Sequence, residues 1–172
     1  NPTGGILEKQ VFHVHLTLSG DNTDCEPIRV HKPSDVILVL DISSSMGESA
    51  RLGLGEQKIA GAKQAAKAFV EKLDPKQDRV GLIVFDDSAE VLHSLEADSG
   101  NLNKAIDGLG SRGGTAIHEG LRVALDEMKV MRRAGVLGTI VLLSDGGSDQ
   151  GLALQQAAGI REENIRLVTV GF

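Results

Sequence analysis

Val36-Ile37-Leu38-Val39-Leu40-Asp41-Ile42-Ser43-Ser44-Ser45-Met46-Gly47 is the stretch whose reading decides the fold. Its first five residues are apolar on both parities and rich in β-branched side chains, which predicts a strand buried on both faces of a parallel sheet. The strand then delivers one carboxylate and three hydroxyls within Asp41–Ser45. In open α/β sheets ligands bind at that end of the strands. Such an oxygen set suits a hard cation like Mg²⁺, which takes oxygen ligands in an octahedron and keeps several waters.

Working outward, Ile59, Ala62, Ala66, Phe69, Val70 and Leu73 share one helical face, predicting a helix over residues 58–73 that Asp74-Pro75 stops. Residues 79–85 read as a second buried strand ending in Asp86-Asp87-Ser88, and residues 89–95 follow so closely that they form its antiparallel hairpin partner. A short helix over 102–109 precedes a loop marked by Gly108, Gly110, Gly113 and Gly114. Thr115 opens the next helix, where Ile117, Leu121, Ala124, Leu125 and Met128 share a face. Residues 139–143 are an apolar strand ending Ser144-Asp145-Gly146-Gly147, followed by a helix over 150–161 and a strand over 165–170. Upstream, Phe12, Val14, Leu16 and Leu18 alternate with His13, His15, Thr17 and Ser19, a half-buried edge strand. Strands alternating with helices predict an α/β fold: a mostly parallel sheet, one antiparallel edge strand, and helices on both faces.

The 172 residues amount to one domain's worth, with an apolar content ordinary for a globular chain. A formal charge of −6 argues against nucleic acid, which draws on clustered Lys and Arg. Four Phe and no Tyr or Trp remove the stacking platforms used for single strands. The single Cys25 excludes an internal disulfide and a zinc–cysteine cluster. No apolar run approaches the ~20 residues needed to span a bilayer. The opening Asn1-Pro2-Thr3-Gly4-Gly5 is expected to mark a piece of a larger parent protein.

Three loops at one sheet edge carry matching chemistry: Asp41, Ser43 and Ser45; Thr115 after the glycine loop; and Asp145 before Gly146. This set resembles the metal-ion-dependent adhesion site of von Willebrand factor A domains, in which Asp-x-Ser-x-Ser precedes a Thr in a Gly-rich loop and then an Asp before Gly. The resemblance implies a three-layer Rossmann-like fold over residues 33–172, with residues 1–32 as an N-terminal extension carrying the edge strand. It implies that Ser43, Ser45 and Thr115 bind Mg²⁺ directly, with Mn²⁺ or Ca²⁺ as alternatives, and that Asp41 and Asp145 act directly or through water. Because hydroxyls are neutral, two carboxylates at most offset the ion's charge and leave it an appetite for an anionic oxygen. The expected partner is therefore a protein offering a Glu or Asp. Ser44 departs from the Gly of many family members. The family's usual final helix, strand and helix are also expected to be missing after Phe172.

Other readings stand beside this one. Asp41, Ser43, Ser45 and Thr115 also suit helix N-caps, and Asp145-Gly146 suits a turn. His13, His15 and His31 could chelate zinc, although a solvated strand face explains the first two. Asp86 and Asp87 could tune the site or form a second cation site, or simply shape the turn. A P-loop, a dinucleotide fingerprint and a Gly-x-Ser-x-Gly elbow are all absent from the sequence. The enzymatic rival is a Mg²⁺-dependent phosphatase with Asp41 as nucleophile, but Ser43 stands where a haloacid-dehalogenase-like enzyme has its second Asp. A purely structural scaffold is the third reading. We expect a binding module rather than an enzyme, without insertion into a membrane, and lean towards a cell-surface, secreted or periplasmic setting.

Overall fold

The computed structural model describes residues 31–49, 56–96, 100–147 and 149–172. The chain divides into units over Asn1–Val30 and His31–Phe172, and the description concerns the second. The expected strand through Phe12 and Leu18, with His13, His15 and Cys25, lies outside the described residues.

Strand β1 (Ser34–Asp41) leads into a short 3₁₀ helix (Ser44–Gly47) and then α1 (Lys58–Val70). Next come β2 (Arg79–Phe85), β3 (Ala89–Glu96), α2 (Leu102–Asp107) and α3 (Ile117–Met131), and then β4 (Leu137–Ser144), α4 (Gln150–Glu162) and β5 (Arg166–Gly171). The five strands lie in the order β3-β2-β1-β4-β5. All neighbours are parallel except β2 and β3, which form the antiparallel edge expected from their short connection.

The two-sided apolar pattern of β1 sorts by parity into two cores. Val36, Leu38 and Leu40 pack with Ile59, Ala62 and Ala66 of α1 and Leu102 and Ile106 of α2. Ile37 and Val39 face the other way, against Leu121, Ala124 and Met128 of α3 and Ile160 of α4. Each such burial contributes about 1.5–3 kcal/mol. A charge at Leu38 would therefore strip one whole face of the sheet of its helices' support. The result is the expected three-layer α/β fold.

Several helix ends differ from the periodicity: α2 stops at Asp107 instead of Leu109 and α4 runs one residue further, to Glu162. The helix α1 stops at Val70 instead of Leu73, because the chain tightens into i→i+3 bonds: Lys72 N donates to Phe69 O (3.0 Å) and Leu73 N to Val70 O (3.1 Å). Helix α3 starts at Ile117, so Thr115 lies ahead of it in the connection rather than opening it.

The chain runs from β1 to one side (β2, β3) and returns to the other (β4, β5), so the strand order reverses between β1 and β4. Ligands of such sheets bind in the crevice at this reversal. The register Leu40↔Leu143 sets the ends of the two strands side by side, carrying Asp41 and Ser144-Asp145 to that crevice.

At the opposite end, the strand starts are clasped by ion pairs. Asp35 accepts from Arg79 Nε and Nη2 (3.1 and 2.9 Å) and from Arg133 Nε, Nη2 and backbone N (2.9, 2.7 and 2.7 Å). Asp78 accepts from Ser34 N and Oγ, both at 2.9 Å, and its Oδ1 lies 2.9 Å from His31 Nε2. His31 thus belongs to this clasp, at the end of the sheet away from Asp41.

Candidate functional site

Asp41 is the last residue of β1 and is fully buried. Its Oδ1 accepts from Ser43 N (2.8 Å) and its Oδ2 from the Ser144 hydroxyl (2.6 Å), which in turn accepts from Gly146 N (3.1 Å). Both of these donors to the carboxylate are neutral. Ser43 is buried and its hydroxyl lies 3.1 Å from that of Ser45. Although Ser43 precedes the 3₁₀ helix, its side chain makes no capping bond there. The residue flanking α3 is Ala116, so Thr115 stands one position ahead of the cap. By contrast, Asp149 does cap α4, accepting from Gly151 N and Leu152 N.

The Asp145 side chain is largely buried and pairs with the Lys58 ammonium at 2.8 Å. Burial pushes its carboxyl up, but Lys58, the Ser45 hydroxyl and the Gly147 N–H together hold it below the ordinary carboxylate value. Asp41, Ser43, Ser45, Asp145 and Lys58 therefore form one continuous polar chain across the crevice.

The glycine loop is stitched to this chain by its backbone. Arg112 N donates to Ile42 O (2.6 Å) and Ser44 N to Gly113 O (3.1 Å). On its far side Gly114 N donates to Asp87 Oδ2 (2.9 Å) and Ala116 N to Asp86 O (2.7 Å). Half-buried Thr115 is carried to the same edge between these anchors. Asp86 also holds Ser88 N (3.0 Å) and Arg112 Nε (3.0 Å), so Asp86 and Asp87 shape and tether the loops. Two glycines make this closeness feasible. A Cβ at Gly47 would collide with the Ser111 hydroxyl, and Gly113 adopts φ +68 against Asp87.

The donor set fits a hard cation. Two carboxylates stand beside the hydroxyls of Ser43 and Ser45, with half-buried Thr115 in the adjoining loop, while among the described residues no group of three or more His, Cys, Asp or Glu could hold a metal. The Lys58 ammonium already sets one positive charge against Asp145. Sequence reasoning missed Lys58 and the Ser144 hydroxyl. One signal for Lys58 existed: a cation at the first position of a helix opposes the macrodipole and calls for a partner elsewhere.

The model of the von Willebrand factor type A domain matches residues 36–162, which takes in every strand from β1 to β4 and the whole crevice. The chain belongs to the von Willebrand factor type A domain family. Among solved structures of this fold, the chain resembles BatB of Bacteroides thetaiotaomicron at 27% identity and TM-score 0.71, over 80% of this chain and 66% of that one. It resembles the vWF domain of the type V pili tip protein Mfa5 of Porphyromonas gingivalis at 31% identity and TM-score 0.58, over 68% and 39%. A third likeness is proximal thread matrix protein 1 of the mussel byssus, described with a zinc-occupied MIDAS motif, at 25% identity and TM-score 0.65, over 81% and 36%. The chain spans from 26% to 42% of the length of the first curated relatives it matches. Among the described residues no helix is long and apolar enough to cross a membrane.

Proposed function

We propose that this vWA domain binds a divalent cation on Asp41, Ser43, Ser45, Thr115 and Asp145, and through it a Glu or Asp carboxylate of a partner protein. The observation that carries the reading is the buried Asp41 carboxylate, met by the Ser43 N–H and the Ser144 hydroxyl, both neutral donors. A full negative charge held this way favours a cation in its neighbourhood. The Ser43 hydroxyl, which caps no helix, and the Ser45 hydroxyl 3.1 Å from it supply neutral oxygen donors beside it. Mg²⁺ suits these ligands best, with Mn²⁺ or Ca²⁺ as alternatives. Bound there, the ion supplies an electrophilic coordination position for an anionic oxygen from outside. The zinc-occupied motif named for the byssus protein supports a metal role at this kind of edge.

The domain acts by binding and not by catalysis. In the phosphatase alternative Asp41 would be the nucleophile, yet it is buried and its two oxygens are already held by Ser43 and Ser144. A surface or periplasmic setting is favoured by the likeness to a pilus-tip domain, and membership of a larger protein by the small share of its relatives that the chain spans.

Calorimetric titration of chelator-treated protein with Mg²⁺ and Mn²⁺ tests the reading, alongside Asp41→Ala and assay of a generic phosphate ester. Saturable 1:1 binding, lost in the variant and without ester turnover, is expected. Turnover that disappears with Asp41 would overturn it in favour of the phosphatase.

A further inference from the structure

Lys58 brings to the crevice a charge that opposes that of the cation the site would bind. Its ammonium lies 2.8 Å from Asp145 Oδ2, with only 19% of the side chain exposed. The Glu48 carboxylate stands 3.9 Å from the same ammonium on the other side and is 73% exposed. The backbone holds this arrangement in place, because Lys58 N donates to Glu48 O (3.0 Å) and Ser49 bridges Gln57. Among the described residues, Glu48, Ser49, Lys58 and Phe172 line a cavity of about 340 Å³ beside the crevice. The ammonium therefore has a second carboxylate within reach and open space next to it. Its electrostatic partners, Asp145 first and then Glu48 and Asp41, favour its charged form.

We propose that Lys58 is a tethered competitor for Asp145 that sets the affinity and the charge selectivity of the cation site. This rests on the reading that Asp41, Ser43, Ser45, Thr115 and Asp145 bind a divalent cation. With Lys58 in place the two carboxylates and the ammonium sum to a single negative charge, whereas without it they present two. An ion that takes Asp145 must first part it from the ammonium, which turns to Glu48. A monovalent ion gains too little from the exchange, while a divalent ion gains enough. The coupling is reciprocal: whatever strengthens the Lys58–Asp145 pair weakens cation binding by the same factor.

The test compares wild type, Lys58→Met and Lys58→Arg by calorimetric titration with Mg²⁺ and Mn²⁺, and by thermal unfolding in chelator. Methionine keeps most of the stem's length and removes the charge. Lys58→Met is expected to bind Mg²⁺ about tenfold more tightly than wild type, to respond more to Na⁺, and to unfold at a lower temperature in chelator. Lys58→Arg keeps the charge and should bind no more tightly than wild type. Binding by Lys58→Met that equals or falls below wild type, with the variant folded, overturns the role of Lys58 and leaves the cation site standing. Should Lys58→Met be unfolded in chelator, Lys58→Gln, which also removes the charge but keeps a polar side chain, carries the comparison, and Mg²⁺ binding by it no tighter than wild type overturns the role. Failure of both wild type and Lys58→Met to bind either ion overturns the cation site itself, and this proposal with it.

Discussion

Asp35 and Asp41 stand at opposite ends of β1, and both side chains are fully buried. Asp35 is saturated: two guanidinium groups and a backbone N–H converge on it. Asp41 is held in place by neutral groups, and the Lys58 ammonium reaches it only through space, from its contact with Asp145. The same residue type on the same strand thus has two employments. At the strand starts the charge is cancelled in order to clasp β1, β2 and the segment after α3. At the strand ends it is oriented by neutral donors, which under the proposed function leaves it for a bound cation. Burial is equal in the two places, but Asp35 accepts five hydrogen bonds, four of them from guanidinium groups, and Asp41 accepts two, both from neutral groups.

The contrast breaks most visibly at its structural end. Asp35→Ala leaves Arg79 and Arg133 facing each other without their shared anion, and is expected to cost about 3–5 kcal/mol. Urea unfolding measures this, and a loss under about 1 kcal/mol would mean that the clasp is ornamental. Asp41→Asn, by contrast, keeps the side chain's shape, and the Ser144 hydroxyl can turn to accept from the new amide. Its expected stability change lies within about 1 kcal/mol, with Mg²⁺ binding abolished in calorimetry.

Acid sharpens the comparison. Burial pushes the Asp35 carboxyl up, but the guanidinium groups of Arg79 and Arg133 outweigh it and hold it below its ordinary value. Asp78 is held low in the same way: burial raises it, and His31, Asp74 N–H and Ser34 more than compensate. Groups whose folded pKa is depressed contribute stability that is complete above their unfolded values, about 3.9 for Asp, and lost as pH falls through the folded ones. Wild-type stability should therefore fall below about pH 4, and Asp35→Asn should lose less over the same range. Equal slopes for the two proteins would remove Asp35 from the acid transition. The smallest effect belongs to Thr115→Ala, a half-buried residue one position ahead of the α3 cap residue Ala116. Its stability should stay within about 0.5 kcal/mol of wild type while Mg²⁺ affinity drops, as titration can measure.

Much of this was legible before the fold was seen, and for identifiable reasons. Two-sided apolarity in residues 36–40 announced a central strand, and Asp41, Ser43 and Ser45 are close enough in sequence for their common loop to be read directly. Thr115 and Asp145 needed the further step that parallel strands end at one edge. Lys58 was not legible as a partner of Asp145, because the pair is 87 residues apart and only the adjacency of β1 and β4 joins them. The Ser144 hydroxyl was passed over as the end of an apolar strand, yet it fixes Asp41 from 103 residues away. Helix ends escaped for a local reason, as hydrophobic spacing cannot tell the last α-helical turn of α1 from the tighter bonds that follow it.

The most direct test of the difference between the two ends of β1 is thermal unfolding of wild type, Asp35→Asn and Asp41→Asn, each in chelator and in saturating Mg²⁺. A ligand at a hundred times its dissociation constant stabilises the state it binds by about 2.7 kcal/mol. The expected result is a rise in unfolding temperature with Mg²⁺ for wild type and Asp35→Asn, and none for Asp41→Asn. An equal rise in all three, or no rise in wild type, would contradict the assignment of Asp41 to a cation.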